Sequence, residues 1–367
     1  MQKAFRVMLT AMLGISVSTF VFANSIGFVQ TNLASDQSGV APTTDANLVN
    51  AWGIAASSTS PFWIGANGSG TSVLYNGAGV KQGLTVSIPG DGSVTGVSFS
   101  NVTGNFNGDA FLFVSEDGTV SGWRGALGTA AETLVPGGAA NVYKGLTDAG
   151  VGGIQYAYLT DFKTGAITVL TGTGVPSALT GNFTDPSLPA GYAPFDIANL
   201  GGTLYVTYAV QDSAKHDDVA GAGNGIIDTY DLNGNFLGRL VTGGALNSPW
   251  GLAIAPAGFG DVGGDLLVGN FGDGLIHAYN PTTGTFVETL TDANGNPLTI
   301  DGLWGLDFGN GGGAGSKSTL YFTAGPGGES HGLFGDLVAV PEPATWLLTG
   351  LSLMVLVVRR VIKTRSA

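Results

Sequence analysis

Four side chains at one recurring position carry the oxygen chemistry this sequence offers. Asn67, Glu116, Asp161 and Asn270 each follow a short run of aromatic and β-branched residues, and each ends that run on a carboxylate or an amide. Carboxylates and amide carbonyls are hard donors, and six to eight oxygens gathered in space hold Ca²⁺. The expectation is a divalent-cation site such as a Ca²⁺ site built from these four. The competing reading is that Asn and Asp at run ends cap turns through their own backbone. Tyr208 and Ala324 stand at the same place in two further runs and offer the ring less.

Other motifs are weaker. His216, His277 and His331 show no metal spacing, and H-E-x-x-H and G-x-S-x-G are both absent. Asp292-Ala-Asn294-Gly-Asn296 opens like a Ca²⁺ loop, but Pro297 stands where Gly is required and Leu303 where a bidentate Glu belongs, so it reads as a hairpin turn. The polar stretch from Gln211 to Gly225 is the longest insertion in the repeat described below, and such insertions often form binding surfaces. Trp52, Trp250 and Trp304 share one repeat position. They read either as an aromatic rim for sugar stacking or as inter-blade wedges packed in the core, and the repeat itself favours the wedges.

The elements that must position these groups are short strands. A kernel of small residues, an aromatic or polar residue, a Gly and then alternating apolar residues recurs six times. Its Gly (once Asp) falls at 53, 96, 145, 196, 251 and 305, with spacings of 43, 49, 51, 55 and 54. Periods near 40–50 residues are those of propeller blades. A second, apolar run follows each kernel, as in Phe62-Trp63-Ile64-Gly65 and Leu320-Tyr321-Phe322-Thr323, and a third and a fourth follow in turn. Four strands in each of six units make an all-β, six-bladed β-propeller over residues 26–338. The sixth unit runs out of chain before a fourth strand. The run Ile26–Ala34 lies unassigned ahead of the first kernel, so the N-terminal strand is expected to complete blade six and close the ring. The 62 glycines among 367 residues suit many tight turns.

Charge narrows the partners. Residues 25–343 hold 7 basic against 26 acidic residues, a net −19, which repels phosphate backbones and excludes nucleic acid as a partner. The chain has no Cys, and therefore no disulfide or thiolate chemistry.

Both ends read as targeting segments. Residues 1–23 combine Lys3 and Arg6 with an apolar run to Phe22, which predicts a signal helix cut between Ala23 and Asn24. Residues 340–367 hold Pro341-Glu342-Pro343, a 15-residue apolar stretch from Ala344 to Val358, and the basic stop Arg359-Arg360. As a helix that stretch spans about 22 Å, a short transmembrane segment whose arginines stay cytoplasmic.

This tail resembles the PEP-CTERM sorting signal of Gram-negative bacteria. The resemblance implies an exosortase-type processing enzyme as partner, a transient inner-membrane anchor, and release to the cell surface or extracellular matrix. The kernels Asn50-Ala-Trp-Gly-Ile-Ala and Ser248-Pro-Trp-Gly-Leu-Ala resemble NHL-type propellers, and residues 26–338 resemble an uncharacterised bacterial family of exported propellers. Related six-bladed propellers with lactonase activity hold a divalent ion with a comparable Glu/Asn/Asp set. With no conventional catalytic set in the sequence, the expected role is a binding or scaffold module whose partner is an extracellular polysaccharide or envelope protein. The alternative is an exported metal-dependent hydrolase or lactonase with its site at the channel.

Overall fold

The computed structural model describes residues 27–100, 104–177 and 179–340. The signal segment with Ala23 and Asn24, and the tail with Pro341, Glu342, Pro343, Arg359 and Arg360, lie outside the described residues. Among the described residues, no helix is long and apolar enough to cross a membrane.

Six sheets, antiparallel but for one short parallel pair, stand around one axis. Their inner strands are Ala51–Ala55, Val94–Phe99, Tyr143–Val151, Tyr192–Leu200, Pro249–Ile254 and Leu303–Phe308. Each packs against the next, and the sixth packs against the first. Closure follows the expectation. Phe28–Ser35 pairs antiparallel with Leu333–Ala339 and becomes the fourth strand of the sixth blade, with the short strand Thr43–Thr44 paired parallel to its end. The edge of Leu333–Ala339 is thereby covered by the opposite end of the same chain.

The kernel glycines explain how the ring closes at backbone contact. A Cβ on Gly53 would run into Thr95 O, one on Gly251 into Trp304 O, and one on Gly96 would stand 2.7 Å from Leu146 N. Each kernel also carries a register shift against its second strand, as between Ala51 and Ile54 or Leu303 and Leu306. Threonines staple neighbours at the same level. Thr160 Oγ1 receives the Gly145 amide (2.7 Å) and donates to Phe195 O (3.1 Å) of the next blade.

Blade three departs from the four-strand expectation. It has three strands, ending at Ala166–Thr171. Beyond them Gly174 turns the chain at φ 75°, and Pro176, which has no amide to give a ladder, makes only an isolated bridge to Leu170.

The three repeated tryptophans are packed in the core between blades, as the repeat favours, and form no exposed rim. All are buried and meet one another on the axis: Trp52 stacks on Trp304 at 3.7 Å, Trp304 stacks on Phe271 at 3.9 Å, and Trp250 lies edge-on to both tryptophans. With Phe162, Ala193 and Phe195 they plug the channel.

Candidate functional site at the channel mouth

Inner strands begin, and second strands end, on the same face, so residues from several blades converge there. Of the four expected ligands, two meet: Asn67 Nδ2 donates to Glu116 Oε2 at 3.0 Å. The other two are held by local turns. Asp161 accepts from Asn141 Nδ2 (2.6 Å) and the Val142 amide (3.1 Å), and Asn270 Nδ2 donates to Ala245 O (2.8 Å).

The centre of the mouth belongs to Lys144. It occupies the kernel position that is aromatic in blades one, four, five and six, and its side chain is 2% exposed. Its ammonium donates to Glu116 Oε1 and, at 3.2 Å, to Asp217 Oδ1. Burial alone would lower its pKa. The charges of Glu116 and Asp217 outweigh burial and hold it above the ordinary lysine value, so the group remains a cation. Beneath it lies the plug, with the Trp52 ring centroid 5.2 Å from Nζ and Trp250 Nε1 donating to Lys144 O at 3.3 Å.

Two further elements complete the ring. The blade-four insertion folds back on itself through Asp212 and places His216 and Asp217 over the mouth. His216 Nδ1 lies 2.9 Å from Asp217 Oδ1. Glu116, His216 and Asp217 offer three ligand atoms within 4.8 Å of one another, two of them already paired with the Lys144 ammonium. From blade six, Glu329 accepts from Asn50 Nδ2 at 2.8 Å. Burial, reinforced by repulsion from Glu116, raises its pKa despite that hydrogen bond. Asn50 also accepts from Trp304 Nε1 at 3.1 Å, tying mouth to plug, and its φ of 48° is strained for a non-glycine residue.

Sequence reasoning found Asn67, Glu116 and the insertion. It missed Lys144, Asn50 and Glu329. The available signal was the lysine itself, a charge at a repeat position that is otherwise mostly aromatic.

No family model matches the sequence. The chain is 36% identical over 296 residues to Uncharacterized protein R648 of Acanthamoeba polyphaga mimivirus, covering 75% of this chain and 72% of that protein. It is 32% identical over 332 residues to Uncharacterized protein L690 of the same virus, covering 83% and 84%. The chain belongs to their family. These relatives are proteins of a giant virus, whereas the sequence resemblance implies bacterial ones.

Among solved structures, an auxiliary nutrient binding protein from Bacteroides ovatus superposes with a TM-score of 0.55 at 11% identity, over 86% of this chain and 78% of that one. Virginiamycin B lyase from Staphylococcus aureus superposes with a TM-score of 0.50 at 14% identity, over 86% of this chain and all of the other. These likenesses show the propeller fold alone.

Proposed function

We propose that this chain is a binding module whose channel mouth docks a hydroxyl-rich ligand of the extracellular-polysaccharide class. One observation carries the reading: Lys144 is locked as an ammonium between Glu116 and Asp217 above a sealed channel. The mouth is therefore a fixed surface of alternating donors and acceptors, with no passage behind it. Asn50, Asn67, Glu116, Asp217 and Glu329 supply the polar groups that hydroxyls pair with. An auxiliary nutrient binding protein shares the fold, in line with this role. Titrating the full chain with a panel of soluble polysaccharides tests it. At least one should bind, and Asn67→Ala with Glu116→Gln should weaken it tenfold or more. Equal binding by wild type and the double variant refutes the site.

A second reading rests on the His216–Asp217 pair, in which Asp217 orients Nδ1 and leaves Nε2 for proton transfer. Glu329, with its raised pKa, would supply the proton on the other side. That arrangement suits a hydrolase or a lyase, and the lyase among the fold neighbours shows that the architecture carries such chemistry elsewhere. A divalent ion held by Glu116, His216 and Asp217 would give the metal-dependent form. Turnover lost in His216→Ala would favour this reading over pure binding.

We further propose that the protein is exported. Cleavage would fall between Ala23 and Asn24, and an exosortase-type enzyme would cut near Pro341-Glu342-Pro343 after Arg359 and Arg360 stop transfer. Replacing Glu342 and both prolines should leave a membrane-retained form. Continued release of a shortened product would defeat the proposal.

A further inference from the structure

The half of the channel beyond the tryptophan plug holds a second, chemically different cavity. There the C-terminal ends of all six inner strands enclose a cavity of about 310 Å³. It continues past Asn199, Leu252 and Asp307 into a groove of about 450 Å³ walled by Leu200, Ile254 and Phe308. Two carboxyls line the cavity, Asp196 from blade four and Asp307 from blade six. Asp196 is 7% exposed. Apart from the Ile197 amide beside it, no hydrogen bond reaches its side chain among the described residues, and Asp307 has only the Phe308 amide. No Lys, Arg or His lines the cavity.

Neither acid is needed to close the ring. Asp196 stands at the kernel position where the other five blades carry Gly, and its Oδ1 lies against Gly145 of blade three. Asp307 stands where the other blades carry Ala55, Ser98, Thr147, Ala198 and Ala253. An unpaired buried carboxylate is costly, and it is relieved by a proton or by a cation brought to it. Size then selects the cation. A water takes up about 30 Å³ of liquid, so the cavity has the room of roughly ten waters, far more than a bare metal ion fills. The walls beside the acids mix apolar Trp250, Leu252 and Leu306 with Ser98, Thr147 and Asn199, and the adjoining groove is the apolar part.

We propose that this lower channel binds a small organic ammonium compound, its nitrogen held by Asp196 and Asp307 and its carbon frame laid along the apolar groove. The probe is 2-phenylethylamine, titrated calorimetrically into the full chain, with 2-phenylethanol as its uncharged counterpart. The amine should bind at least tenfold tighter than the alcohol. Asp196→Asn and Asp307→Asn should each weaken it tenfold or more, while Asp91→Asn, an exposed carboxylate elsewhere, should leave it unchanged. Asp196→Gly restores the residue the other blades use, so a loss of binding with retained thermal stability separates the site from folding. Equal binding of amine and alcohol, or indifference to both aspartates, overturns the proposal. So does Ca²⁺ that displaces the amine and itself requires Asp196, because the site is then a metal site.

Discussion

Lys144 Nζ and Asp217 Oδ1 stand 3.2 Å apart although 73 positions separate them in the chain. The contact ties the inner strand of blade three to the insertion of blade four, and with Glu116 it joins three blades through one ammonium. Removing one partner of a buried pair costs more than the pair contributes, because the other charges stay behind. Lys144→Met should therefore destabilise by about 3 kcal/mol in urea unfolding, with Lys144→Met/Glu116→Gln regaining at least half. A single-variant loss under about 1 kcal/mol would mean the ammonium is not the hub.

The kernel glycines predict a steric series. Gly53→Ala and Gly251→Ala force a methyl into the neighbouring blade's backbone and should cost about 2 kcal/mol or more. Gly83, on an outer strand with nothing near its missing Cβ, is the control, and Gly83→Ala should be neutral or mildly stabilising. Three equal melting temperatures would show that the blades are not packed backbone to backbone.

Closure by the first strand makes a separate prediction. Thr31 pairs with Asp336 in the middle of the closing ladder. Thr31→Pro should cost about 3 kcal/mol and lower the cooperativity of unfolding, since the ring opens at its join. Unchanged denaturation would show that the strand is dispensable.

Buried carboxyls set a pH dependence. Burial raises Asp307 to about 7, and burial with the nearby charge of Asp185 raises Asp228 to about 7 against the pull of Arg239. A raised folded-state pKa favours folding while the acid is neutral. That contribution is complete below the unfolded value near 4 and is lost as pH rises through about 7. Asp307→Asn and Asp228→Asn should therefore gain on wild type between pH 4 and pH 8 in thermal melts. A difference that stays flat across that range would show that these acids are ionised throughout.

The architecture was legible because each blade repeats one local instruction. A kernel Gly appears wherever an inner strand must touch its neighbour, and an apolar run follows wherever a strand is buried on both faces. The clasp was legible too, since the sixth unit lacked one strand and Ile26–Ala34 had no other place. Blade three was misjudged because its third strand is followed by Gly174 and Pro176, whose backbone limits outweigh the period.

The mouth was only half legible. Asn67 and Glu116 sit at the repeat's own position, and periodicity alone brings them together. Lys144 was hidden in the least regular kernel, and His216, Asp217 and Glu329 arrive on loops whose path no period describes. Strand alternation likewise could not tell that Trp52, Trp250 and Trp304 turn to the axis, because the register shift at each kernel breaks that alternation. Sequence by itself determined the number of blades, the closing strand and the acidic surface, since all are sums of local pattern. Which charges face one another across the channel was decided only when six separate strands closed on a common axis, because side chains far apart in the chain acquire distances only from the ring.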